Sequence, residues 1–150
     1  MTSRRLRKPP LTPSQWYEWY PNYSYTFSGF AISAGNSIRM TATATSTSAG
    51  SVKIENLTTG KSVSHSFSAQ SNRLCETNAE WIVEDFESNN ALVPFANFGT
   101  VTFTGASATT NSGSTVGPSG STLIDISQNN RVLTSSSVSG NSVTVRYTGS

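Results

Sequence analysis

A chain of 150 residues, 12% of them charged, is long enough for one domain with a real core and too short for two comfortable ones. Ser and Thr are abundant, and Thr often alternates with Val, Ile, Phe or Ala, as in strands with one hydroxyl-lined face. No stretch carries an apolar stripe at helical period, which excludes an all-helical fold.

The formal net charge of +2 comes from the first positions, where Arg4, Arg5, Arg7 and Lys8 stand beside Pro9, Pro10 and Pro13. The remainder is mildly acidic and has no basic patch of the kind a nucleic-acid binder needs. No apolar run follows the basic residues as a signal peptide requires, and none is long enough to span a membrane. Residues 1–14 read as a disordered or loosely attached tail, and residues 15–150 as one β-sandwich domain.

In chain order, Trp16–Tyr20 is predicted as the first strand, stopped by Pro21. Alternation puts Trp16, Glu18 and Tyr20 on one face, Tyr17 and Trp19 on the other. Thr26–Ile32 reads as a short strand and Ser33–Asn36 as a turn. Ser37–Thr45 alternates cleanly, with Ile38, Met40, Ala42 and Ala44 against Arg39, Thr41, Thr43 and Thr45. Ser48-Ala49-Gly50 punctuates before a strand in which Val52 and Ile54 oppose Lys53 and Glu55. Asn56–Gly60 closes a hairpin into Lys61–Ser68, where Val63, His65 and Phe67 share a face. Residues 69–78 form a loop carrying Cys75.

Glu80–Phe86 is predicted as a strand, followed by short strands at Leu92–Phe95 and Phe98–Thr104. Residues 105–120 compose a Ser/Thr/Gly-rich surface loop. Thr122–Ile126, Arg131–Thr134 and Ser142–Thr148 close the chain, with turns at Asn129-Asn130 and Gly140-Asn141. Turns about every ten residues give the rhythm of a sandwich or barrel.

Half of the acidic residues fall in Glu80–Glu87. A carboxyl group among apolar or like-charged neighbours suits a general acid, and the acidic side chain between Ile82 and Phe86 is Glu84. Glu18 is a second carboxylate that could share a cleft with it. The plain alternative is a set of solvated carboxylates. A carboxylate pair also suits glycoside hydrolysis, and Trp16, Trp19 and Tyr20 suit sugar stacking, so hydrolase and non-catalytic peptide- or carbohydrate-binding module both stand. One His and one Cys make a metal site a poor reading, and His65 fits the apolar periodicity of its strand. Asn22-Tyr23-Ser24 and Asn56-Leu57-Thr58 satisfy the N-glycosylation pattern, making Asn22 and Asn56 candidate glycosylation sites. A lone Cys75 is awkward in a secreted protein, where such a thiol usually has a partner.

Trp16-Tyr17-Glu18-Trp19-Tyr20-Pro21, Val52–His65 and Leu74–Phe86 together resemble the fungal glutamic peptidases, or eqolisins (peptidase family G1). Phe98–Phe103 and Ser137–Val145 extend the resemblance nearly to the last residue. It implies an all-β fold, a bent antiparallel sandwich of the concanavalin A-like or jelly-roll kind. It implies secreted, acid-active endopeptidases that cleave polypeptides with no metal, cofactor or covalent intermediate. In that family a glutamic acid activates water and protonates the leaving amine, while a glutamine positions the water and stabilises the oxyanion. The match places the catalytic glutamate at Glu84 and cleft-lining residues at Trp16 and Glu18.

The family's glutamine lies on a strand well before Trp16, which Met1–Ser14 do not resemble, and Gln15 is not the matching residue. The resemblance also pairs Cys75 with a cysteine of that region. The expectation is therefore an N-terminally truncated sandwich holding the C-terminal two thirds of the mature enzyme. A missing N-terminal segment or separate chain is its implied partner besides substrate.

Overall fold

The computed structural model describes residues 15–88 and 90–149; the tail expected over residues 1–14 lies outside them. Among the described residues every regular element is a strand and every pairing is antiparallel. The chain divides after Asn78 into two compact units.

The first unit holds β1 (Trp16–Tyr17), β2 (Tyr25–Thr26), β3 (Ile38–Ser46), β4 (Ala49–Asn56) and β5 (Lys61–Phe67). β1 pairs β2, and β3-β4-β5 form one sheet. Register converts the sequence alternation into two faces. Met40, Ile54 and Val63 align across the sheet, as do Ala42, Val52 and His65. On the opposite face Arg39, Glu55 and Ser62 align, followed by Thr41, Lys53 and Ser64.

Aromatic side chains cover part of the apolar face. The Tyr17 ring stacks on His65 at 4.0 Å and 15°, and Trp19 meets Phe67 at 5.2 Å. Trp19 is buried and its indole N–H donates to the Asn72 carbonyl at 2.7 Å, which satisfies its polar atom inside. Each such ring pair contributes about 0.5–1.5 kcal/mol beyond area burial.

Asn56 anchors the β4–β5 turn. Its side chain is fully buried. Nδ2 donates to the Ala31 carbonyl at 3.3 Å and to Asn36 Oδ1 at 2.8 Å. Oδ1 accepts from the backbone N–H groups of Thr58 and Thr59, each at 3.1 Å. Gly60 completes the turn at φ 73°, a conformation with no steric cost only for glycine.

The first-strand pattern extends beyond the paired residues: the predicted Trp16–Tyr20 strand is paired only at Trp16–Tyr17, and Thr26–Ile32 shrinks to Tyr25–Thr26. The expected break at Ser48-Ala49-Gly50 is instead a turn at Thr47-Ser48, with Gly50 inside β4. A β-bulge between Ala44 and Ser46 accompanies it. A Cβ on Gly50 would lie 2.5 Å from the Thr43 carbonyl oxygen, so only glycine fits this close crossing.

The second unit holds β6 (Glu87–Ser88), β7 (Ala91–Leu92), β8 (Thr100–Phe103), β9 (Ala108–Thr109), β10 (Thr115–Val116), β11 (Ser127–Gln128), β12 (Arg131–Val132), β13 (Thr134–Ser139) and β14 (Ser142–Tyr147). β14 lies between β13 and β8. Val143 and Val145 are buried, aligned with Phe103 and Val101 on one side and Val138 and Ser136 on the other. Phe95, Phe98 and Tyr147 form a ring cluster with centroids 5.8–6.3 Å apart. The Asn129-Asn130 turn joins β11 to β12 with φ of 52° and 61°, the paired positive values a two-residue type I′ hairpin needs. Thr122–Ile126 forms no strand; Ile126 N–H donates instead to the buried Thr134 hydroxyl at 2.7 Å. The loop expected over residues 105–120 contains the β9–β10 hairpin.

Replacing Gly50 with Ala should destabilise the fold by about 1–3 kcal/mol, read as a lower urea midpoint at unchanged slope. A second expectation concerns Glu55, whose carboxylate accepts from Lys53 Nζ at 2.8 Å, with Arg39 at 3.7 Å. The Lys53 hydrogen bond holds its carboxyl below the usual range against a smaller opposing effect of burial, and the charges of Lys53 and Arg39 add to the lowering. A depressed carboxyl stabilises above its unfolded value and loses that contribution as pH falls through its folded one. Glu55→Gln should therefore lower stability slightly at neutral pH and converge with the wild type in acid, measured by thermal melts across pH.

Candidate active site

The segment bearing Glu84 keeps the alternation its sequence specifies without the ladder. Along residues 81–86, Trp81, Val83 and Asp85 are half-buried while Ile82, Glu84 and Phe86 are exposed. Yet the predicted Glu80–Phe86 strand does not form; pairing begins only at Glu87. A period of two fixes faces, whereas a ladder needs a neighbour that the segment's own residues cannot supply.

Other contacts hold it. Phe86 accepts a backbone hydrogen bond from Val93 at 3.2 Å. Gln128 on β11 donates from Nε2 to Asp85 Oδ1 at 2.9 Å and to the Val93 carbonyl at 3.1 Å. One amide thus ties the residue after Glu84 to the strand-like stretch across from it.

Glu84 lines an open hollow of about 390 Å³ with Val83, Phe86, Val93, Pro94, Phe95, Ala96 and Phe98. Its carboxyl is the single ionisable group of that lining. The walls supply apolar contact and the carboxyl supplies a proton acceptor or donor, a combination suited to general acid–base work on a bound substrate.

A profile of the Peptidase A4 family matches residues 10–147. The chain belongs to that family. Aspergillopepsin-2 of Aspergillus niger is 63% identical to this glutamic peptidase relative over 133 residues, which cover 88% of this chain and 47% of that protein. Scytalidopepsin B of Scytalidium lignicola is 47% identical over 144 residues, covering 91% of this chain and 55% of that one. The chain thus spans about half the length of the curated relatives it matches. The crystal structure of aspergilloglutamic peptidase from Aspergillus niger superposes with a TM-score of 0.84 at 63% identity, over 88% of this chain and 78% of that one. The fungal glutamic peptidase resemblance of the sequence is therefore family membership, and the fold class is the all-β, antiparallel concanavalin A-like or jelly-roll sandwich.

Within this family member the other site residues lie as follows. Trp16, 47% exposed, pairs Thr26 in the β1–β2 ladder, and half-buried Glu18 follows that ladder. Both belong to the first unit and Glu84 to the second. Gln15 is buried and its carbonyl accepts from Phe27 N–H at 2.8 Å. Cys75 is a free, exposed cysteine. Asn22 is exposed, with Nδ2 donating to Gln70 Oε1 at 3.0 Å. Asn56 has no exposed surface and both Nδ2 hydrogens engaged. No helix of the described residues is long and apolar enough to cross a membrane.

Sequence reasoning missed Gln128 and the wall formed by Val93–Phe98. The half-buried position of Asp85, one residue from Glu84, was the available signal, since a carboxylate on the inward face calls for a donor.

Replacing Gln128 with Leu leaves Asp85 and the Val93 carbonyl without that donor and should cost about 1–3 kcal/mol, measured by chemical denaturation. Gln128→Glu places two carboxyls together. Its deficit should exceed that of the Leu variant at neutral pH and shrink on acidification, when one of the pair takes a proton.

Proposed function

We propose that this chain carries acid endopeptidase chemistry, hydrolysing peptide bonds of extracellular polypeptides with a water that Glu84 activates. The observation that carries this reading is Glu84 itself, the one ionisable group of an otherwise apolar hollow, on a segment that lies within the family match.

As carboxylate, Glu84 takes a proton from water while the water oxygen attacks the peptide carbonyl carbon. As carboxylic acid, it returns that proton to the departing amine nitrogen. One group thus serves both steps, provided it stays within hydrogen-bond reach of the water and then the nitrogen. The oxyanion formed between them needs a positioned donor, and the family assigns that role to a glutamine side-chain amide. Trp16 and Glu18 are proposed to line the substrate cleft. The family resemblance supports a secreted chain and a polypeptide substrate.

The test compares wild type and Glu84→Gln on an unfolded polypeptide at about pH 2–4, where a carboxyl group can pass between its two protonation states. Loss of an acid–base group of this kind should lower turnover by at least about a hundredfold. Equal turnover by the two proteins overturns the assignment.

A further inference from the structure

We infer that Asn22, and not Asn56, is the residue of this chain that carries an N-linked glycan, and that the first sugar seats in an aromatic hollow beside it. The inference rests on the secreted reading of the chain and is independent of Glu84.

Two tripeptides in the sequence fit the acceptor pattern, and the fold separates them. At Asn56 all four hydrogen-bonding positions of the amide are engaged and the side chain has no exposed surface. A sugar on its Nδ2 would displace a bond to Ala31 or Asn36 and open the β4–β5 turn. At Asn22 the geometry is the reverse. The residue ends a tight turn, its N–H donating to the Trp19 carbonyl at 2.9 Å. Its side chain is exposed and gives one Nδ2 hydrogen to Gln70 Oε1. Among the described residues the second hydrogen meets no acceptor.

Glycosylation uses that hydrogen. A bond forms between Nδ2 and C1 of N-acetylglucosamine in a lipid-pyrophosphate-linked oligosaccharide. The C1–O bond to phosphate breaks, the lipid pyrophosphate leaves with its electron pair, and the amide nitrogen loses a proton. The Gln70 bond survives the exchange.

The surroundings suit a sugar. Asn22 lines a hollow of about 670 Å³ with Tyr23, Tyr25, His65 and Gln70 among its walls, and among the described residues no carboxylate, lysine or arginine lines it. Tyr20, Tyr23 and Tyr25 are 83%, 87% and 58% exposed. Tyr23 and Tyr25, both in that lining, thus present uncovered ring surface beside Asn22. A pyranose ring offers a face of C–H groups to pack on a tyrosine ring, and its hydroxyl and acetamido groups suit the amides of Asn22 and Gln70. A neutral sugar also suits walls made of aromatic rings and amides.

The test secretes the full chain from a eukaryotic host behind a supplied leader and maps glycopeptides by mass spectrometry in secreted and cell-retained protein. Asn22 should be occupied in secreted protein, and Ser24→Ala should abolish the modification. Any glycan on Asn56 should be confined to retained, misfolded chains. Vacant Asn22, or a glycan on Asn56 of secreted protein, overturns the assignment. For the seating, protein trimmed to one N-acetylglucosamine should melt above protein from which the sugar is removed entirely. Tyr23→Ala keeps the acceptor tripeptide and should reduce that difference by at least about half, as loss of a ring contact implies. A melting difference unchanged in both Tyr23→Ala and Tyr25→Ala overturns the seating.

Discussion

Ladder hydrogen bonds to β4 and β14, each the middle strand of three, hold the frame on which the other elements hang. Apolar burial is thin by comparison. Among the described residues the buried apolar side chains are Trp19, Phe30, Ala106, Pro118, Val143 and Val145. A fold with so few enclosed side chains depends on satisfied backbone polar groups, because each one left unpaired out of water costs as much as a lost hydrogen bond. The two central strands satisfy theirs on both sides, so the register they impose decides which residues meet. Val52 meets His65, and Val143 meets Phe103, through those registers.

The candidate site stands outside this ladder system. Glu84 sits on a stretch with no strand partner among the described residues, positioned by the side-chain amide of Gln128 and the Phe86–Val93 backbone bond. Such a stretch can place a reactive carboxyl against an apolar wall at an angle that a flat sheet does not provide. Its geometry then depends on a few named contacts, which is why Gln128 matters beyond its own hairpin.

Clean alternation made most long strands legible: β3, β4, β5, β8 and β14 fall within two or three residues of their sequence-read spans, whereas β13 lies mostly beyond the strand read at Arg131–Thr134. Asn129-Asn130 and Gly140-Asn141 marked their turns by chemistry alone. Where the reading failed, the missing information was nonlocal. Glu80–Phe86 and Thr122–Ile126 have strand composition but no ladder partner among the described residues, and no local pattern reports a partner's presence. Gly50 read as punctuation because a glycine required by a neighbouring carbonyl looks the same in sequence as one required by a turn. At the site, Glu84 stood out through its apolar neighbours, whereas Gln128 lies more than forty positions away and becomes visible only once the chain is folded. The family likewise emerged from local segments, Trp16–Pro21 and Leu74–Phe86 among them, which lie within the family match.

The outer face of the β3-β4-β5 sheet has a consequence for life in acid. Apart from Arg39, Lys53 and the Glu55 they engage, its residues are Thr41, Thr43, Ser51, Ser62, Ser64 and Ser66, whose hydroxyls neither gain nor lose protons across the working range of any protein. A surface wetted by carboxylates discharges on acidification, leaving its lysines and arginines to repel one another until the fold opens. A hydroxyl surface keeps the same polarity and the same bonds to water throughout. With eight acidic residues in the whole chain, there is little negative charge to lose, and this sheet is built to go on dissolving where a carboxylate-coated one would swell.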